Sequence, residues 1–220
     1  MRGLIIGSSG GIGSAVARAL VLRRWEVVGL SRRGDGLDVT DEASVARVLG
    51  GIEGSFDLVF VTTGGLEVGG FRPEKSVKAL DGAAMAAQFA LNAIGPALVL
   101  KHVWRLIPKD RAAKVAVLSA RVGSIGDNRL GGWHGYRAAK AALNQVVRTC
   151  AVELARTHPQ AALVALHPGT VATGLTAAYA GGHPTVTPEV AAENLLAVME
   201  RVGAAQSGQF FDWKGEVVPW

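Results

Sequence analysis

Short apolar runs alternate with longer alanine-rich stretches of helical period along this chain, and that alternation leaves few folds open. The strand candidates are residues 3–6, 26–30, 58–62, 115–119 and 163–167, with a late one over 209–212. The helical candidates are 12–23, 42–49, 84–106, 136–156 and 188–202. Apolar strands that do not alternate with polar residues are those covered on both faces. Strands separated by helices join through right-handed crossovers into a parallel sheet. The expected fold class is α/β: a doubly wound parallel sheet with helices on both faces. With 220 residues, 49% of them hydrophobic, the chain suffices for one well-buried domain over residues 1–220. Ligands of such sheets bind at the carboxyl ends of the strands, near the topological switch point.

Two motifs fall where that fold puts its ligands. The first strand runs through Gly7-Ser8-Ser9-Gly10-Gly11-Ile12-Gly13 straight into a helix. Glycines there permit a tight turn and let the backbone approach a pyrophosphate, while the helix N-terminus offers unpaired N–H groups and partial positive charge. The second motif is Tyr136-Arg137-Ala138-Ala139-Lys140 in a helix-forming stretch. A spacing of four puts both side chains on one helix face, within reach of one reacting group. A nearby ammonium favours the phenolate and lowers the tyrosine pKa, which suits proton exchange with an alcohol or carbonyl oxygen.

Composition narrows the partners. The net charge is +5, but the basic residues are scattered, without a continuous stripe or a basic-aromatic alternation, so no nucleic acid is expected. The apolar run at Leu4-Ile5-Ile6 is too short for a signal peptide or a span, and the longer apolar runs are broken by glycine or charge, so no membrane partner is expected. The one cysteine, Cys150, excludes an internal disulfide and suits the cytoplasm, as a small apolar side chain. No metal site is expected.

The Gly7, Gly11, Gly13 spacing together with Tyr136 and Lys140 resembles the short-chain dehydrogenase/reductase family over nearly the whole chain. The resemblance implies a Rossmann-type fold and nicotinamide-dependent hydride transfer between a carbonyl and an alcohol. The second strand ends in Ser31-Arg32-Arg33 with no acid, and an arginine fork suits a ribose 2′-phosphate, so NADP(H) is favoured over NAD(H). Asp38 and Val39 look like the adenine-contacting pair, although Thr40-Asp41-Glu42 also reads as a helix cap. Thr62-Thr63-Gly64 stands where the family has Asn-Asn-Ala-Gly, so a threonine hydroxyl must take over the asparagine's part in steadying the sheet. Further cofactor contacts implied are Ser9, Ile12, Thr63, Gly64, Pro168, Gly169, Val171 and Thr173, with Tyr136 and Lys140.

Of the family's catalytic tetrad, Asn92, Tyr136 and Lys140 match. In the family the asparagine extends a proton relay through water, and the lysine also holds the nicotinamide ribose. The serine position falls on Ala120 by simple register, which leaves Ser119, at the strand end, or Ser124, twelve residues before Tyr136, to polarise the substrate oxygen. The stretch 174–187 suits a mobile lid, with Leu130, Trp133, His134 and Tyr179 around the pocket. The loop 123–128, Gly131-Gly132-Trp133 and the ending from Phe211 to Trp220 are similar to the C-factor-like, carbonyl reductase-related subgroup. A small-molecule carbonyl or alcohol substrate is expected; the other reading is a nucleotide-binding signalling protein whose catalysis is incidental. The alanine-rich helices from Ala84 and Tyr136 are expected to pair across a two-fold axis in a homodimer or homotetramer.

Overall fold

The computed structural model describes residues 1–174, 176, 178–179 and 184–220. Six parallel strands, β1 (Arg2–Ile6), β2 (Glu26–Leu30), β3 (Leu58–Val61), β4 (Ala113–Leu118), β5 (Ala161–His167) and β6 (Phe210–Asp212), form one sheet in the order β2-β1-β3-β4-β5-β6. The helices are α1 (Gly11–Leu22), α2 (Arg32–Asp35), α3 (Glu42–Gly50), α4 (Gly82–Phe89), α5 (Gly95–Val103), α6 (His134–Thr157) and α7 (Pro188–Arg201).

Successive residues of a strand point to opposite faces, and the core divides accordingly. Leu4, Ile6, Val59, Val61, Val115, Val117, Leu163 and Ala165 share one apolar cluster with Leu143 and Val147 of α6 and Val99 of α5. Ile5, Phe60, Ala116, Leu118, Val164 and Leu166 form the other with Val16 and Leu20 of α1 and Leu195 and Met199 of α7. Burial on both faces explains why these strands are continuously apolar. The chain goes from β1 out to β2 and returns to β3 on the other side of β1, so the switch point lies between the carboxyl ends of β1 and β3.

The segment Gly82–Leu106 is apolar and long enough to cross a membrane by composition, with a mean hydropathy of 1.6. Here it packs through α4 and α5 against α6 and α3. It is one interrupted helix: a π turn over Ala90–Ile94 separates α4 from α5 and carries Asn92. Such turns open the backbone ladder and reorient a side chain. Ala84, Ala93 and Ala139 are buried within the chain, so part of the small-residue surface expected to pair between copies serves internal packing.

Candidate active site

At the switch point, Gly7 takes φ +92°, and a Cβ there would stand 2.7 Å from Thr62 Oγ1. A Cβ on Gly13 would lie 2.3 Å from the carbonyl oxygen of Gly7, and one on Gly11 2.8 Å from Thr173 Cγ2. The three glycines therefore let β1 turn into α1 at the closest approach backbone allows. The first turn of α1 has no side-chain cap, so its N–H groups remain available to an anion. Thr62 donates from Oγ1 to the carbonyls of Ile6, at 2.8 Å, and Gly7, at 3.2 Å, tying the ends of β1 and β3 together. A threonine hydroxyl thus does the steadying that the sequence assigned to it.

A groove of about 540 Å³ opens over this turn, bounded by Gly7, Ser9, Arg32, Asp38, Val39 and Thr63 among others. Gly11 and Gly13 are not on its wall. Ser31 also borders the groove, but its hydroxyl caps α2, accepting from Gly34 N at 3.0 Å. The sequence offered no acid at this strand end, yet the structure brings one back: Asp35 Oδ2 accepts from Ser31 N at 2.7 Å. That carboxylate faces the backbone, and Arg32 and Arg33 border the groove instead. Asp38 borders it as well, its carboxyl held below the usual range by hydrogen bonds from the Thr40 hydroxyl and N–H. The helix cap belongs to Asp41, which accepts from Ala43 N, so cap and groove wall are different residues.

A second cavity of about 140 Å³ continues the groove, sharing Thr62, Thr63 and Gly64. Ile12, Leu118, Ser119, Ala120, Tyr136, Lys140, His167, Pro168, Gly169, Val171, Thr173 and Thr176 complete its wall. Together the two spaces form an elongated crevice at the carboxyl ends of β1 to β5. Its glycine turn, uncapped helix N-terminus and arginine-bordered far end have the chemistry to hold a dinucleotide.

Entry into α6 is set by Gly131, Gly132 and Trp133, all at positive φ, with Trp133 at +51°. Buried Glu74 then takes the Gly135 N–H on its two carboxylate oxygens, each at 3.2 Å, and fixes the first turn. Trp133 packs edge-on against both Tyr136 and Tyr179. One turn on from Tyr136, Lys140 is buried and donates to the carbonyl of Leu118 at 3.0 Å, with its Nζ 5.9 Å from the centre of the Tyr136 ring. Asn92 is fully buried: Oδ1 accepts from Gly65 N at 3.1 Å, and Nδ2 donates to Gly65 O at 2.8 Å and Gln88 Oε1 at 2.7 Å. A Cβ on Gly64 would stand 2.9 Å from Asn92 Oδ1 and 3.4 Å from Lys140 Nζ, so the loop after β3, the asparagine and the lysine meet at one point.

The match to a family model described as enoyl-(acyl carrier protein) reductase runs over residues 6–206. The chain belongs to the short-chain dehydrogenase/reductase family. It is 31% identical over 232 residues to the 1-hydroxy-2-glutathionyl-2-methyl-3-butene dehydrogenase of Rhodococcus sp. (strain AD45), covering 99% of this chain and 98% of that one. It is 34% identical over 142 residues to the C-signal of Myxococcus xanthus, covering 64% of this chain and 81% of that one. A Burkholderia multivorans short-chain dehydrogenase/reductase structure with bound NADP superposes with a TM-score of 0.79 at 27% identity, covering 100% of this chain and 99% of that one. The protein is thus an oxidoreductase of a nicotinamide-dependent family.

Several expectations are corrected by the geometry. Ser124 is not in the cavity: its hydroxyl donates to Pro219 O at 2.5 Å and accepts from Asp127 N, fastening the C-terminal tail to the loop after β4. The Tyr136 pKa is not lowered. The hydroxyl is pushed up to about 12 by burial, and burial pulls Lys140 down to about 8. An ammonium almost 6 Å from the ring does not offset that desolvation. Ser119 does line the cavity, but its hydroxyl donates to Asn144 Oδ1 at 2.6 Å. Leu130 is almost wholly exposed, and neither it nor His134 borders the cavity. Of the lid stretch, Leu175, Ala177 and residues 180–183 lie outside the described residues. Glu74, Gln88 and Asn144 carried no local motif to mark them, and His167 stood only as the residue before the Pro168-Gly169 turn. Their roles come from contacts with residues distant in sequence.

Proposed function

We propose that this short-chain dehydrogenase/reductase interconverts a small-molecule carbonyl and its alcohol with NADP(H). The observation that carries the proposal is the convergence of Tyr136, Lys140 and the Pro168-Gly169 turn on one cavity continuous with the dinucleotide groove. The Rhodococcus relative, named for dehydrogenating a hydroxy compound, supports the carbonyl–alcohol pair. The cofactor, when bound, supplies or accepts the hydride at the substrate carbon.

The residues of the chain do the rest. The Tyr136 hydroxyl gives its proton to the oxygen in reduction and takes it back in oxidation. Lys140 supplies positive charge beside the developing oxyanion and, with the Leu118 carbonyl, fixes its own position. Asn92 holds Gly64 and Gly65 against Lys140. Pro168, Gly169, Val171 and Thr173 would hold the nicotinamide, and Leu118 and Val171 make that wall apolar and exclude water. Arg32 reads the ribose 2′-phosphate. Asp35, held by Ser31 N, leaves the ribose without a competing carboxylate. The Burkholderia structure with bound NADP supports the same choice. Ile94 and Val152 are exposed apolar residues of the two alanine-rich segments, and we propose a homodimer or homotetramer contact through those segments; a monomeric mass by light scattering would overturn it.

One observation favours a second reading, a nucleotide-binding signalling protein with incidental catalysis. Ala120 stands in the cavity wall where the family has its serine, and the C-signal of Myxococcus xanthus is a relative. Nicotinamide absorbance, followed with NADPH and with NADH across aldehydes, ketones and quinones, separates the two. Turnover with NADPH supports the oxidoreductase; cofactor binding without turnover on any of them favours the second reading.

A further inference from the structure

A carbonyl oxygen that gains negative charge needs more than one hydrogen-bond donor, and Tyr136 is one. The cavity wall offers few others. Ala120 has no donor in its side chain. The protons of Ser119, Thr62 and Thr176 go to Asn144, Ile6 and Val171, Thr173 Oγ1 lies 3.4 Å from Thr176 Oγ1, and Lys140 gives one of its N–H groups to Leu118 O. Among the described residues, two wall side chains keep a buried polar atom without a hydrogen-bond partner: Thr63 Oγ1 and His167 Nδ1. Thr63 lies at the junction with the dinucleotide groove, whereas His167 borders the reaction cavity alone.

The strand register shows why His167 is there. It ends β5 and pairs with Asp212 of β6, and Ser119 N donates to Leu166 O across from β4. Ser119, His167 and Asp212 therefore follow Val117, Ala165 and Phe210 on the face toward α6, in a row along the carboxyl edge of the sheet. The neighbouring charges are committed elsewhere. Asp212 Oδ1 accepts from the N–H groups of Lys214 and Glu216, and its Oδ2 lies 3.6 Å from Arg121, which also pairs with Asp127. Burial first, and Arg121 second, pull His167 down to about 4 against the opposing pull of Asp212, so the imidazole is neutral with one N–H to give. A buried imidazole nitrogen without a partner is costly unless something meets it.

We propose that His167 donates the second hydrogen bond to the substrate oxygen, beside the Tyr136 hydroxyl, and so replaces the hydroxyl that Ala120 lacks. The assignment rests on the carbonyl–alcohol reading. No proton leaves the imidazole. Tyr136 transfers the proton as the carbon–hydrogen bond forms, and the His167 N–H stabilises the charge in passing.

The test uses the full chain, with NADPH affinity read by fluorescence titration and turnover on the best carbonyl substrate from the assay above. His167→Phe fills the space without a donor and lowers kcat about 100-fold, the loss seen when one oxyanion donor is removed, with NADPH affinity unchanged. His167→Gln keeps an N–H and retains most of the turnover. Adding Ala120→Ser to His167→Phe restores at least about tenfold, because a hydroxyl at that wall position reaches the same oxygen. Full turnover in His167→Phe overturns the assignment and leaves the oxidoreductase reading standing. So does an equal loss in Phe and Gln variants that Ala120→Ser cannot rescue, since that marks a packing role. Wild-type protein that binds NADPH and reduces nothing overturns both.

Discussion

Removing the lysine of the site should stabilise the ligand-free protein. Lys140 is buried, and its pKa falls from 10.5 to about 8 because the ammonium is desolvated. That lowering corresponds to about 3 kcal/mol of destabilisation at pH 7, where both folded and unfolded chains hold the proton. Lys140→Met keeps the length of the side chain and removes the charge. It also leaves the Leu118 carbonyl without its donor, a loss of about 1 kcal/mol. The net gain is about 2 kcal/mol, or roughly 4 °C in Tm for a chain of this size. The pH dependence isolates the cause. Between about pH 8 and 10.5 the unfolded chain binds the proton that folded Lys140 has lost, so wild-type stability rises with pH and about 2 kcal/mol is recovered by pH 9.5. Above pH 10 Tyr136 reverses the sign, because its folded pKa lies near 12. Thermal unfolding of both proteins at pH 7 and 9.5 should show Lys140→Met ahead at pH 7 and the gap closing at 9.5. A variant less stable than wild type at pH 7, or a gap that ignores pH, would refute the reasoning.

Arg32→Glu should weaken NADPH binding at least about tenfold while leaving NADH binding within about twofold, read by fluorescence titration; equal losses for both would remove the phosphate role. Gly13→Ala forces a methyl to within 2.3 Å of the Gly7 carbonyl and must displace the turn, so dinucleotide affinity should fall by more than tenfold at about 1–3 kcal/mol lower stability. Glu74→Leu removes the acceptor of the Gly135 N–H at the start of α6 and should lower stability by about 1–2 kcal/mol in a urea melt, with kcat reduced more than KM is raised because Tyr136 sits on that turn. Ser124→Ala should leave kcat near wild type and lower stability by about 1 kcal/mol through the freed Pro219 carbonyl and Asp127 N–H; a loss of turnover beyond tenfold would return Ser124 to the chemistry.

All six strands and the longer helices were legible from apolar runs and alanine-rich periodicity, helped by burial on both faces of the central strands, but the π turn that divides 84–106 into α4 and α5 was not. The four-residue helix Arg32–Asp35 was not, since its signal is the cap from Ser31 and the return of Asp35 to Ser31 N, two contacts shorter than any period. The glycine turn and the Tyr136–Lys140 pair are local patterns, and the fold brings them to one crevice. Ser124 misled because separation along the chain says nothing of what a hydroxyl faces. The tail carbonyl of Pro219, ninety-five residues away, decides it. The direction of the Tyr136 shift is not legible in the sequence for a related reason: spacing shows that a lysine is near but not how much water the pair loses. His167 and Asn144 stand in the site through strand register and helix packing, which no single stretch of sequence encodes.

The most direct test of the central claim compares wild type with Tyr136→Phe, measuring NADPH consumption on a carbonyl substrate and NADPH affinity in the same preparations. The account predicts turnover in wild type, a loss of at least about 100-fold in the variant, and unchanged affinity, because the variant removes only the proton that reaches the oxygen. Turnover that survives the loss of the hydroxyl would contradict it.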